Sequence, residues 1–105
     1  MSARSLYKVV FLSQGKVYEI YARNVTQGTL FGFIEVERLV FGERSTVVID
    51  PSEERIRSEF AGVRRTYLPI HSILRIDVVE KQGVSKISTA ETSNVSQFPT
   101  PIYTP

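Results

Sequence analysis

His71 is the only histidine in the chain and its most versatile group for chemistry, because a neutral imidazole accepts a proton near neutral pH. A serine-hydrolase site would need it close to a serine and a carboxylate. Ser72 is the next residue, so its side chain points away from His71 in an extended chain. Asp77 lies six residues further on, roughly 20 Å along a strand. No serine stands in a Gly-x-Ser-x-Gly turn. We therefore expect the protein not to be an enzyme.

Ligands for metals and phosphate groups are equally scarce in this sequence. The chain has no cysteine, which excludes disulfide scaffolds, thiolate catalysis and cysteine-ligated metal sites. Gly28 and Gly32 do not have the spacing of a phosphate-binding loop. We expect neither a metal ion nor a cofactor.

Arginine offers the best candidates for ligand contact, because its planar guanidinium suits phosphate groups and interfaces. The formal net charge is +2, and arginine supplies most of the 13 basic residues. Arg64 and Arg65 are the only adjacent basic pair in the region expected to fold. Arg65 and Arg75 flank a predicted tight turn at His71. The sequence thus predicts a nucleic-acid-binding face with these members: Arg23, Arg64, Arg65, His71 and Arg75.

Each member of this face also has a structural interpretation. The arginines can neutralise neighbouring carboxylates, namely those of Glu53, Glu54, Glu59 and Asp77. A histidine in a turn can instead donate a hydrogen bond to a backbone carbonyl. Most aromatic side chains are needed for the core, but one exposed ring near Arg23 would provide a stacking platform for a base. The candidates for that ring are Tyr21, Phe31 and Phe33.

The alternation of apolar and polar residues between positions 6 and 80 is typical of short β-strands. Strands are predicted at Leu6–Ser13, Val17–Val25, Leu30–Phe41, Thr46–Ile49, Arg65–Leu68 and Leu74–Glu80. Gln14-Gly15 predicts a hairpin turn, and Gly32 predicts a bend inside the third strand. Regularly spaced short strands favour a mostly β fold, a small barrel of five to six antiparallel strands.

One short helix is predicted between the strands, over residues 51–61. Asp50 is suited to the N-cap and Pro51 to the first helical position. Ile56 and Phe60 lie on one face, and Gly62 can end the helix in a left-handed conformation. A helix of three turns is stable only if that apolar face docks on the sheet.

The composition changes near residue 81. With 105 residues there is room for one domain, which we place at residues 1–81. Residues 82–105 are rich in Ser, Thr and Pro, so we expect them to form a disordered tail. The apolar residues of 98–103 indicate either a docking motif or part of a passive tail. No apolar run approaches a membrane span or a signal peptide, so we expect a soluble cytoplasmic protein.

Several stretches resemble known families. The stretches Tyr7–Leu12, Leu39–Ser45, Asp50–Glu54 and Leu68–Asp77 resemble short bacterial proteins grouped as domain of unknown function 1820. This resemblance covers about residues 6–80 and implies a bacterial cytoplasmic protein.

A second resemblance is to Sm-like RNA-binding proteins. Lys16–Asn24 and Leu30–Glu35 look like the first half of that fold, and Tyr67–Ile76 looks like its second half, with a tight turn between two strands. The resemblance implies an Sm-like or SH3-like barrel. The chain departs from the family by opening with a strand rather than a helix. It also carries Glu35 and Glu37 near the positions where the family's base pocket has Asp and Asn.

These observations favour a small binding module. Our first hypothesis is an Sm-like protein of RNA metabolism or translation that binds single-stranded RNA through basic side chains and one or two stacked aromatic rings. The alternative is a protein–protein adaptor, in which a partner strand or a second copy adds to an exposed sheet edge. The dependence of binding on salt concentration separates the two hypotheses. RNA binding through Arg and Lys weakens steeply as the salt concentration rises, whereas strand addition should hardly respond.

Overall fold

The computed structural model describes residues 5–42 and 51–89. Six strands, one α-helix (α1) and a single turn of 3-10 helix make up this part of the chain. In chain order, they are β1 Leu6–Ser13, β2 Lys16–Thr26, β3 Phe33–Val40, α1 Pro51–Glu59, β4 Arg65–Pro69, the 3-10 turn Ile70–Ser72, β5 Ile73–Val79 and β6 Lys86–Thr89. The fold is therefore mostly β, as the sequence predicts.

The six strands form one antiparallel sheet in the order β4-β3-β2-β1-β5, and β6 also pairs with β2. Strand β2 is the longest and organises the sheet. Its first residues, Lys16–Glu19, pair with β6, whereas Tyr21–Thr26 pair with β3. Its other side pairs with β1. Both β1 and β2 are thereby interior strands, and they carry most of the core.

The hairpin between β1 and β2 forms where the sequence predicts it. Ser13 is paired with Lys16, so the loop contains two residues. Gln14 and Gly15 have φ values of 52° and 76°. Positive φ at both positions is the condition for the two-residue turn whose twist matches that of the flanking strands.

The core lies on one face of the sheet and is covered by α1. Its buried members are Val9, Phe11, Tyr18, Ile20, Ala22, Val36, Ile56 and Leu68. Ile56 is the helical contribution and is fully buried, while Phe60 packs partly buried against the same cluster. Gly62 has φ 82°, in agreement with a left-handed end to the helical segment. The predicted helix is thus confirmed over Pro51–Glu59, and its burial stabilises a segment too short to be stable alone.

The core-facing positions change parity midway along β2 and β3. On β2 the core residues are Ala22 and then Val25, and on β3 they are Val36 and then Leu39. Between them Arg38 has φ 61°, in the left-handed region. This irregularity keeps apolar residues on the core side along the whole length of both strands.

The third strand begins later than predicted. It starts at Phe33, and Gly32 lies in the preceding turn with φ 80° rather than inside the strand. The carbonyl oxygen of Gly32 accepts a hydrogen bond of 2.9 Å from the N–H of Ile70. Glycine adopts this conformation without the steric cost of a Cβ, so Gly32 ends the loop instead of bending the strand.

The expected closed barrel is not formed, because the sheet is open. β4 and β5 lie at opposite ends of the strand order, and no pairing joins them among the described residues. Only the turn Ile70–Ser72 separates them in sequence. Three residues span little more than 10 Å, so the sheet must curve until its two ends approach at this corner. The strand predicted at Thr46–Ile49 and the N-cap at Asp50 lie outside the described residues.

The segment after residue 81 also differs from the expectation of a disordered tail. Lys86–Thr89 form β6, with Ile87 opposite Tyr18 and packed against the core. Ser85, just before it, is fully buried. The Ser/Thr-rich composition includes one apolar residue at a strand-compatible position, and pairing with β2 places that residue against the core. Residues 90–105 lie outside the described part of the chain.

Candidate functional site

Strand β5 exposes a row of apolar side chains at alternate positions along the edge of the sheet. Leu74, Ile76 and Val78 are 55%, 37% and 69% exposed. β5 pairs only with β1, so the backbone groups on its other side are not used by the described sheet. A free edge with exposed apolar residues is a template for pairing with another strand.

The pairing with β1 shows which face this row occupies. Ile76 is opposite Val9, and Val78 is opposite Tyr7. Directly opposed residues of an antiparallel pair lie on the same face, and Val9 is fully buried in the core. The exposed row therefore continues the core face of the sheet onto the edge strand β5. The sequence predicts this strand and its alternation, but not that it lies at an edge.

The predicted nucleic-acid-binding residues include Arg65, which the structure places in an ion-pair cluster on β4. Its Nε is 2.7 Å from Glu37 Oε2 and 3.1 Å from Glu35 Oε2. Both carboxylates belong to β3, where they lie opposite Arg65 and Tyr67 in the β3–β4 pairing. Two acidic groups thus neutralise one guanidinium at this edge.

The electrostatics of this cluster match its geometry. The hydrogen bond from Arg65, assisted by one from Asn24, lowers the pKa of Glu37 below its usual range. The same hydrogen bond raises the pKa of Arg65 above its usual value. The cluster is therefore a stable charge pair at neutral pH.

The other predicted residues are spread over the sheet. Arg75 on β5 pairs with Asp77 of the same strand, with Nε 3.1 Å from Oδ2. Arg23 on β2 donates a hydrogen bond of 3.4 Å to the carbonyl of Ser5. The side chains of Arg64 and His71 are exposed, and neither side chain has an ion pair or hydrogen bond within the part of the chain that the structure describes.

The five predicted residues belong to different parts of the fold. Arg65 and Arg75 lie on β4 and β5, at opposite ends of the strand order, while Arg23 lies on the central strand β2. Only Arg64 and Arg65 are adjacent. Arg65 and Arg75 are paired with carboxylates, which is the structural interpretation that the sequence left open for them. The partners of Arg65 are Glu35 and Glu37 of β3, whereas the sequence suggested acidic residues of the helix.

A second exposed apolar cluster surrounds the loop between β2 and β3. Its side chains are those of Leu30, Phe31, Phe33 and Ile70, and Phe31 is fully exposed. With residues 27–29 and Gly32 they line an open pocket of about 300 Å³. Phe31 was a stacking candidate from the sequence, although it was expected inside a strand. The glycines on either side of this loop, at positions 28 and 32, are the signal that could have placed it in a turn.

The polar contacts of α1 hold the helix against the sheet and do not form an open site. Tyr18 donates a hydrogen bond of 2.9 Å to Glu59 of α1. Burial, together with this hydrogen bond to a carboxylate, raises the pKa of the Tyr18 hydroxyl. Arg57 lies over the ring of Phe41 at 4.9 Å and donates a hydrogen bond of 2.8 Å to the carbonyl of Gly42. These contacts attach α1 to β2 and to the end of β3.

Residues 5–42 and 51–89 contain neither a candidate metal site nor a membrane-spanning helix. No group of three or more His, Asp or Glu side chains there is arranged to hold a metal ion. No helix in this part is long and apolar enough to cross a membrane.

Comparison with known proteins identifies the family. Residues 5–100 match the model of the family described as "Domain of unknown function (DUF1820)", so the chain belongs to that family. The match confirms the first of the two sequence resemblances and extends across β6 into the last residues of the chain. No curated protein and no solved structure matches the chain.

Proposed function

We propose that this member of the DUF1820 family is a non-enzymatic protein-interaction module that binds a partner strand along the free edge of β5. The observation that carries the proposal is the row formed by Leu74, Ile76 and Val78, which is exposed on an edge strand. Strand addition combines main-chain hydrogen bonds with contacts from alternate side chains, and β5 offers both.

The other two edges of the described sheet are less suited to strand addition. β4 has five residues, ends in Pro69 and carries the Arg65 ion pairs. β6 has four residues, and all but Ile87 are polar or charged. Short edges, proline and charged side chains are the features by which proteins prevent edge pairing. β5 has seven residues, of which five are apolar.

A site-specific cross-linking experiment tests the proposal. A photoreactive phenylalanine analogue replaces Val78 on β5 and, as a matched control, Val63, which is 44% exposed in the loop after α1. After illumination in the native cells, we expect a discrete covalent adduct from position 78 and none from position 63. Equal labelling at both positions, or no adduct from β5, would contradict the proposal.

RNA binding is the second candidate, and one observation favours it. Phe31 is fully exposed beside the open pocket of the β2–β3 loop, and an exposed ring can stack on a base. Arg64 is exposed and has no acidic partner among the described residues. The candidate ranks second because Arg65 and Arg75 are paired with carboxylates and lie at opposite ends of the strand order.

The test for RNA is binding of a labelled single-stranded oligonucleotide at about 50 mM salt, where electrostatic contacts are strongest. Phe31→Ala and Arg64→Ala should each weaken binding, whereas Arg55→Ala, an exposed change on α1, should not. Failure of the wild-type protein to bind under this condition would remove the RNA hypothesis.

We further propose a distant relationship to Sm-like proteins and the bacterial, cytoplasmic setting implied by the sequence resemblances. The relationship to Sm-like proteins is supported by the connection between β4 and β5. These strands lie at opposite ends of the strand order, yet a single 3-10 turn joins them. This is the strand, tight turn and strand that the resemblance of Tyr67–Ile76 implied.

A further inference from the structure

We infer that the strand that adds to β5 is β5 of a second copy of this chain, paired antiparallel about a two-fold axis that passes midway between the two copies of Ile76. The inference rests on the proposed function and names its partner. It is carried by the side chains of β5, which are complementary to themselves when the strand is reversed.

The complementarity follows from the order of residues in β5, Ile-Leu-Arg-Ile-Asp-Val-Val. With Ile76 opposite the second copy's Ile76, Arg75 is opposite the second copy's Asp77, and Asp77 is opposite the second copy's Arg75. On the other face Leu74 is opposite the second copy's Val78. Every position thus meets a residue of matching chemistry, and opposite charges across a strand pair are stabilising.

The charges are already arranged for this contact within one copy. Arg75 Nε lies 3.3 Å from Asp77 Oδ1 and 3.1 Å from Asp77 Oδ2. These two side chains stand at alternate positions on the face opposite the apolar row. Pairing of two copies would join two such pairs into a group of four alternating charges. Such networks contribute more than an isolated surface pair.

Other antiparallel registers of the same two strands are disfavoured. A shift by two residues places Arg75 opposite the second copy's Arg75, or Asp77 opposite the second copy's Asp77, and like charges in this position are destabilising. A shift by one residue places the charged row of one copy on the same face as the apolar row of the other. One register alone satisfies both faces, so the sequence specifies the pairing.

The backbone is regular where the axis would lie. The register of β1 against β5 shifts between Val10 and Phe11, which leaves Leu74 at the irregularity. Arg75 to Val79 follow in unbroken register with β1. The three central pairs of the two-fold arrangement therefore fall within regular strand.

The geometry also accounts for the exposed apolar row. Ile76 and Val78 continue the face that Val9 occupies in the core. In the pair, the row of each copy lies beside the row of the other, so each row loses part of its contact with water. Two self-complementary edges in a two-fold arrangement form a closed dimer and leave no further β5 edge free.

Charge reversal tests the register directly. Arg75→Asp places two carboxylates opposite each other in both central pairs, and Asp77→Arg does the same with two guanidinium groups. Each variant alone should dimerise at least about tenfold more weakly than the wild-type protein. An equimolar mixture of the two variants should restore dimers, since all facing charges are then opposite. The double variant Arg75→Asp/Asp77→Arg should dimerise like the wild type.

The measurement is molar mass by sedimentation velocity over a range of concentrations, with circular dichroism as the control for folding. A wild-type protein that remains monomeric at its highest soluble concentration, or single variants that dimerise as well as the wild type, would overturn the inference. The Val78 cross-link distinguishes strand addition by another protein from self-pairing. An adduct to a different protein, with a monomeric wild type, would leave the proposed function standing and remove self-pairing.

Discussion

Glu53 Oε2 accepts a hydrogen bond from the backbone N–H of Ser85 over 3.3 Å, which joins α1 to the segment before β6. The same oxygen accepts a second hydrogen bond of 3.3 Å from the N–H of Gly42. One carboxylate at the start of the helix thus holds two distant backbone segments. Its position in the first helical turn is also favoured by the helix dipole.

Removal of this carboxylate should therefore destabilise the fold beyond the helix itself. We expect Glu53→Ala to lower the free energy of unfolding by about 1–3 kcal/mol, because two part-buried N–H groups lose their acceptor. Denaturant unfolding measures the change. Ser85→Ala is the matched control, since it keeps the N–H donor and removes a buried hydroxyl that has no partner among the described residues. A loss in Ser85→Ala as large as that in Glu53→Ala would contradict this account of the contact.

Truncation tests whether β6 belongs to the domain. A chain that ends at Lys81 loses β6 and the packing of Ile87, so we expect its stability to fall by about 2 kcal/mol or more. A chain that ends at Thr89 keeps β6 and serves as the control. Equal thermal unfolding of the two truncated proteins would show that β6 contributes nothing.

The strands, the hairpin and the helix were predictable because they depend on local patterns. Alternation predicts which of Ile34 and Glu35 faces the core, and Gln14-Gly15 specifies a turn with positive φ. The composition of residues 82–105 did not predict β6, because that composition is polar on average. The pairing of Lys86–Thr89 with β2, which places Ile87 against the core, is a long-range contact. The closed barrel was wrong because closure depends on whether β4 and β5 pair, and no local pattern encodes that long-range contact.

The candidate site was less predictable than the fold. The sequence predicted a ligand-binding role for Arg65 but not its position against Glu35 and Glu37, because the β3–β4 register that sets this position is a property of the folded sheet. For the same reason, the sequence identified the alternation of Leu74 and Ile76 as a strand without revealing that one side of that strand is an edge.

The Glu37–Arg65 pair predicts a specific response to acid. The pKa of Glu37 is lowered by Arg65, so the pair stabilises the folded state at neutral pH, and that contribution is lost as the pH falls below about 4.5. We expect Arg65→Gln to raise the pKa of Glu37 toward its usual range and to make stability less sensitive to acid. NMR titration of the Glu37 carboxyl measures the shift. Arg64→Gln, its exposed neighbour, should leave that pKa unchanged, and an equal shift in both variants would contradict the assignment to Arg65.

Tyr18 predicts a response at the opposite end of the pH scale. Its pKa is raised from the usual 10.0 by burial and by the hydrogen bond to Glu59. The contribution of the neutral phenol is present below pH 10.0 and is lost as the pH rises through the folded-state value. Tyr18→Phe should cost about 1 kcal/mol of stability and remove one late-ionising phenol from the ultraviolet titration. Tyr7→Phe is the control, because the Tyr7 hydroxyl has no hydrogen bond within the described residues. An unchanged titration in Tyr18→Phe would contradict this prediction.

The most direct measurement of strand addition at β5 uses the absence of cysteine from the chain. Ile76→Cys introduces a single thiol, which in the two-fold pair lies about 5 Å from its counterpart, measured between Cβ atoms. Leu74→Cys, the control, lies roughly 13 Å along the strand from its own counterpart but opposite position 78 of the second copy. With a short bifunctional thiol reagent, we predict covalent dimers from Ile76→Cys and from a mixture of Leu74→Cys with Val78→Cys, and few from Leu74→Cys alone. Absence of dimers from Ile76→Cys, or equal yields at positions 74 and 76, would contradict pairing of β5 with a second copy.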